Sequence, residues 1–103
     1  MDSFEERRRA AEARFAFDQD VAFKTQARAN KALGLWVAHQ LDLSPEEAAA
    51  YAIEIVRSDF EEPGFGDVLR KIKADLGYAF DEFVVRKKAA ELYEAELQRM
   101  KNG

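Results

Sequence analysis

The chain contains no cysteine, which excludes a disulfide framework, a thiol nucleophile, an iron-sulfur cluster and a cysteine zinc site. Its single histidine, His39, cannot build a multi-histidine metal site. Two prolines and five glycines in 103 residues are too few turn-formers for a sandwich or barrel of short strands. No apolar run approaches the roughly 20 residues that cross a bilayer. The N-terminus, Met1-Asp2-Ser3-Phe4-Glu5-Glu6, is acidic where a secretory leader would be basic, so an intracellular protein, peripheral to a membrane at most, is expected. Positive charge is not in surplus either: 16 bases against 20 acids leave a net charge of −4, which argues against general nucleic-acid binding. What is present is 48% hydrophobic and 35% charged residues, the balance of one folded, helical domain.

Helix signals recur along the chain. Ser3 with Glu6 forms a capping box, and no proline interrupts Phe4 to Leu41. Between Phe4 and Asp20 the apolar residues are mostly alanine, so this stretch is helix-capable without owning much core. The pairs Glu5/Arg9 and Arg8/Glu12 support it by a few tenths of a kcal/mol each. From Val21 to Leu41 the pattern strengthens: Phe23, Ala27, Leu33, Trp36, Val37 and Leu41 mark one broad side of a core helix. Ser44, Pro45 and Glu47 give the best helix start in the sequence, and Ala49, Ala52, Ile53, Val56 and Phe60 follow at helical spacing. Glu62-Pro63-Gly64-Phe65-Gly66 predicts a loop. Asp67 is expected to cap a short helix carrying Val68, Leu69, Ile72 and Leu76 and ending at Gly77. Asp81 is expected to cap the last, about Glu82 to Met100, with Phe83, Val85, Ala89, Leu92, Tyr93, Leu97 and Met100 on its apolar side. The expected fold is all-α: a four-helix antiparallel bundle over residues 21–103, with residues 1–20 as a helical or flexible N-terminal extension. Charge supports the pairing of the first two core helices, since residues 21–41 hold three bases and no Asp or Glu, and residues 42–63 seven acids and one base.

Chemistry-bearing constellations are sparse. Asp18/Asp20 and Glu61/Glu62 are carboxylate pairs that diverge on a helix, and no calcium-binding loop surrounds them. No serine, threonine or tyrosine has a histidine base nearby in sequence except around His39, which near a helix C-terminus reads as structural or solvent-exposed. Gly64-Phe65-Gly66 lacks the preceding strand and following Gly-Lys-Ser/Thr of a phosphate loop. Trp36, between apolar neighbours, reads as a core anchor, and Arg86-Lys87-Lys88 as a solvated face. No catalytic residue, metal or cofactor is expected, and the protein is not expected to be an enzyme.

The N-terminal stretch differs in kind. Phe4, Ala11 and Phe15 form a ridge at i, i+7 and i+11, the spacing at which a helix lays anchors into a groove, and Arg7, Arg8 and Arg9 can pair with carboxylates around it.

At Phe23-Lys24-x-x-Ala27-Arg28-x-Asn30-Lys31-x-Leu33-Gly34-Leu35-Trp36 the sequence closely resembles the zeta subunit of the alphaproteobacterial F-type ATPase. Phe15-x-x-Asp18, Tyr51-Ala52, Asp59-Phe60-Glu61-x-Pro63-Gly64 and Asp67-Val68-x-x-Lys71-x-x-x-Asp75-Leu76 continue the likeness in order, over about residues 3–76. It departs at Ala11, where an aromatic is frequent, at Phe17, where a polar residue is common, and at Ala29, where a second arginine is usual. The resemblance implies a four-helix inhibitor of ATP hydrolysis by the catalytic sector of ATP synthase. The N-terminal helix would insert at an interface of the alpha, beta and gamma subunits, with Phe4, Glu5, Arg8, Arg9, Ala11 and Phe15 as contacts. It further implies a cytoplasmic protein, monomeric when free, peripheral to the inner membrane through the synthase, with no nucleic-acid partner and no membrane insertion. Two alternatives stay open: an ATPase-associated subunit that does not inhibit, and a small nucleotide-binding bundle using Lys24, Arg28, Asn30 and Lys31.

Overall fold

A computed structural model describes residues 3–61 and 64–102, the side chains of residues 3–5, 11–18 and 61 excepted. Among the described residues the helices are α1 (Ser3–Gln40), α2 (Pro45–Glu61), α3 (Gly66–Leu76) and α4 (Glu82–Asn102), with a short 3-10 turn at Gly77–Ala79 between the last two. No strand occurs among them. The expected all-α bundle is found, and the N-terminal extension and first core helix are one unbroken helix of 38 residues.

Helix ends follow local chemistry. At the end of α1, Leu43 N donates to Ala38 O (3.1 Å) and Asp42 N to His39 O (3.2 Å), the paired bonds of a Schellman motif. Asp42 takes the left-handed conformation this motif needs, φ 55°, which a short polar side chain tolerates better than a bulky one. Leu43 then packs onto the core, reversing the chain in four residues before α2. The expected capping box opens α2: Glu47 N donates to Ser44 Oγ and Ser44 N to Glu47 Oε1, both at 3.2 Å. Hydrogen bonding of the Glu47 carboxylate to Ser44, first from its side chain and next from its backbone N–H, lowers the Glu47 pKa from its ordinary value. Asp81 caps α4 as expected, accepting from Val84 N at 3.3 Å. Asp67 does not cap α3. That helix starts two residues earlier than expected, at Gly66 after Phe65, so Asp67 lies in its first turn and pairs with Arg70. The expected loop before it includes residues 62 and 63, which lie outside the described residues.

The core draws on all four helices: Leu33, Val37 and Ala38 of α1, Tyr51 and Ile55 of α2, Val68, Leu69 and Ile72 of α3, and Val85 of α4. Trp36 packs against it, half-buried. Two helices turn differently from their sequence pattern. On α2 the buried residues are Tyr51, Ala52 and Ile55, whereas Ile53 and Phe60, expected inside, are 51% and 57% exposed. The reason is tertiary. Gly34 brings α1 so close that a Cβ there would lie 2.6 Å from Ala52 Cα, which centres the interface on Ala52. Tyr51 can be buried because its hydroxyl donates to Asp75 at 2.8 Å. On α4, Phe83 is exposed because it stands about 200° around the helix from the buried Val85, and both cannot face the core.

Candidate functional site

Two contacts mark where the bundle ends along α1. Phe23 stacks on Phe60, in the last turn of α2, with ring centroids 5.1 Å apart and planes at 50°. Arg28 Nη1 lies 3.1 Å from Met100 Sδ, in the last turn of α4. Just inside this level Asn30, only 3% exposed, donates to Asp59 Oδ2 (2.8 Å) and accepts from Gln26 Nε2 (3.2 Å), a polar pin between α1 and α2 with both amide atoms satisfied. Thr25, fully buried, returns its hydroxyl to Val21 O at 2.7 Å.

N-terminal to that level the backbone continues as helix back to Ser3, about 30 Å of rod at 1.5 Å per residue. The extents of the molecule, 64 × 26 × 23 Å, reflect this projection. A compact chain of this length has a radius of gyration near 13 Å, against 17.4 Å here. Glu6 to Ala10 are exposed, as are Gln19 and Asp20.

Of the residues named for partner binding, the side chains of Phe4, Glu5, Ala11 and Phe15 lie outside the described residues, and Arg8 and Arg9 stand on the exposed stretch. The backbone register adds a detail that the sequence reading lacked. Positions 4, 8, 11 and 15 fall within about 60° of arc, so Arg8 shares the stripe of Phe4, Ala11 and Phe15, while positions 5 and 9 lie off it.

The residues named for nucleotide binding do not form one patch. Lys24, Arg28 and Lys31 share a strip of about 60° of arc, with Asn30 at least 100° away and bonded within the bundle. Lys24 pairs with Asp20 at 3.1 Å. Arg28 and Lys31 line an open cleft of about 420 Å³ with Leu35, Glu96 and Arg99. Within it Glu96, 9% exposed, already holds Arg99 at 3.0 Å. His39 is exposed in the last turn of α1.

A polar cluster that the sequence reading missed ties α2 to α3. Lys71 Nζ bridges Glu54 (3.1 Å) and Asp75 (3.2 Å) and lies 5.1 Å from the centre of the Tyr51 ring. Burial, and next the bond to Asp75, push the Tyr51 pKa up. For Lys71 burial works against the charge, but the bonds to Glu54 and Asp75 outweigh it and raise its pKa. The Lys71/Asp75 spacing of four was its one visible signal. Every member is already partnered within the fold, so the cluster reads as a brace. Among the described residues no group of three or more His, Asp or Glu could hold a metal, and no helix is long and apolar enough to cross a membrane.

A family profile described as ATPase inhibitor subunit zeta matches residues 1–99. No curated protein matches the chain.

Proposed function

Because the chain belongs to the ATPase inhibitor subunit zeta family, we propose that it blocks ATP hydrolysis by the catalytic sector of F-type ATP synthase through the projecting part of α1, inserted where the alpha, beta and gamma subunits meet. A regulatory subunit of this kind needs no catalytic group of its own. Before docking it is a monomer of the cytoplasm, and it meets the inner membrane only through the synthase.

The observation that carries the reading is the unbroken helix running about 30 Å past the level where α2 and α4 end. An isolated helix of some 18 residues is marginal in water because its nucleus is costly. Here the nucleus is supplied by the folded continuation, so less ordering has to be met from the binding free energy. Rotary hydrolysis requires each catalytic interface to open and close in turn. A rod seated in one open state adds its binding free energy to that state alone. The step that closes the interface must then overcome it, with no contact to the reacting phosphates.

The arm also separates from the body. Among the described residues the buried ones begin at Thr25 and the core cluster at Leu33, so removal of residues 2–17 is expected to leave the bundle folded. A photo-crosslinker at position 8, on the stripe with positions 4, 11 and 15, tests the seating. The expected products join this chain to alpha, beta or gamma in the inhibited sector. Crosslinks confined to the outer surface of the sector, away from any catalytic interface, would contradict insertion.

A further inference from the structure

Phe23 and Phe60 stack on one another yet remain 55% and 57% exposed. Along α2, positions 49, 53, 56 and 60 stand at i, i+4, i+7 and i+11, within about 60° of arc. Ala49, Ile53, Val56 and Phe60 thus form a second apolar stripe beside the one α2 buries. Single exposed apolar residues are ordinary, but a continuous stripe joined to a stacked aromatic on the next helix marks an interaction surface.

Its place in the molecule indicates what covers it. Phe23 stands three residues beyond Asp20, on the same unbroken helix as the arm. A rod seated in a cleft over residues 3–20 brings the rim of that cleft to the next two turns, which hold Phe23, Lys24 and Ala27. Ala27 lines the crevice between α1 and α2 with Val56 and Phe60. Lys24, paired with Asp20 at 3.1 Å, and Lys31 sit one turn to either side of Ala27, both exposed, in a segment, residues 21–41, with three Lys or Arg and no Asp or Glu. Resting on the reading under Proposed function, we infer that Phe23, Val56, Phe60 and Ile53 form a second contact surface. It docks on the rim of the cleft that receives the arm, and this rim is apolar, with acidic side chains opposite Lys31.

The test titrates the labelled full chain into purified catalytic sector, reading the dissociation constant and the hydrolysis left at saturation together. Phe23→Ser with Phe60→Ser is expected to raise the dissociation constant at least about tenfold, as loss of central aromatic anchors does, while hydrolysis at saturation stays as low as with the unmodified chain. Lys31→Glu, an exposed change whose folding is checked by circular dichroism, is expected to weaken binding at low salt and to match the unmodified chain at about 0.5 M salt. Serine variants that fold, by circular dichroism, and bind within about twofold of the unmodified chain overturn the surface. Unchanged binding by Lys31→Glu overturns the acidic rim. A free chain that sediments as a dimer, and as a monomer after the serine changes, assigns the stripe to a second copy and overturns the inference. If the unmodified chain binds without inhibiting, the reading under Proposed function fails while the surface still stands or falls by the serine variants. If it neither binds nor inhibits, both fall.

Discussion

Gly34→Ala is the sharpest test of how α1 and α2 approach. The added Cβ would lie 2.6 Å from Ala52 Cα, 3.2 Å from Ala52 Cβ and 3.2 Å from Ile55 Cγ1. Carbon atoms in contact sit about 3.5–4.0 Å apart, so the helices must separate by roughly 1 Å, or one must rotate. Overpacking of this kind costs about 1–3 kcal/mol. Alanine returns up to about 1 kcal/mol through its better helix propensity. The net expectation is a loss of about 1–2 kcal/mol, and in a domain of this size that lowers the melting temperature by roughly 5–15 °C. Because the nearest atom is backbone, trimming Ala52 to glycine as well should not rescue it. Urea and thermal denaturation followed by far-ultraviolet circular dichroism measure the change. A Gly34→Ala protein as stable as the unmodified chain, or more so, would show that propensity outweighs the clash and that the close crossing is not what fixes the α1–α2 register.

Asn30→Asp sets a carboxylate 2.8 Å from that of Asp59. It should cost about 1–3 kcal/mol at neutral pH and recover in part on acidification as one carboxyl takes up a proton, so a stability-pH profile that parallels the unmodified chain would refute it. Tyr51→Phe leaves the packing but removes the bond to Asp75 and should cost about 0.5–1.5 kcal/mol by urea denaturation. The lowered pKa of Glu47 means its capping interaction contributes stability above the ordinary glutamate range and loses it as pH falls through the depressed value. Ser44→Ala should therefore flatten the acid limb of the stability profile, and an unchanged limb would contradict the assignment. The raised pKa of Lys71 has the opposite sense: its contribution is complete below the ordinary lysine range and fades as pH rises through the elevated value.

What is legible in the sequence is what depends on neighbours along the chain. The Ser44/Glu47 box and the Asp81 cap each join residues three apart, and both are present with the expected partners. Val68, Leu69 and Ile72 of α3 are buried as their spacing predicts. The rotation of α2 is not legible, because Ile53 and Phe60 are more apolar than Tyr51, and only Asp75, 24 positions away, makes Tyr51 the better buried residue. Phe23 and Phe60 read as core for the same reason, and the fold sets them where the bundle stops and the arm begins. Continuity of α1 through Asp20 is implied by the absence of proline and glycine before Gly34, although a mostly alanine stripe gives no sign of what it packs against.

In this mechanism the projecting helix inhibits and the bundle only holds it in place. Steady-state ATP hydrolysis by purified catalytic sector, titrated in parallel with the full chain and with a chain lacking residues 2–17, tests it most directly. Hydrolysis is expected to fall progressively with the full chain and to stay undiminished with the shortened one, whose circular dichroism and cooperative melt still report a folded bundle. A folded, shortened chain that suppresses hydrolysis as the full chain does would contradict it.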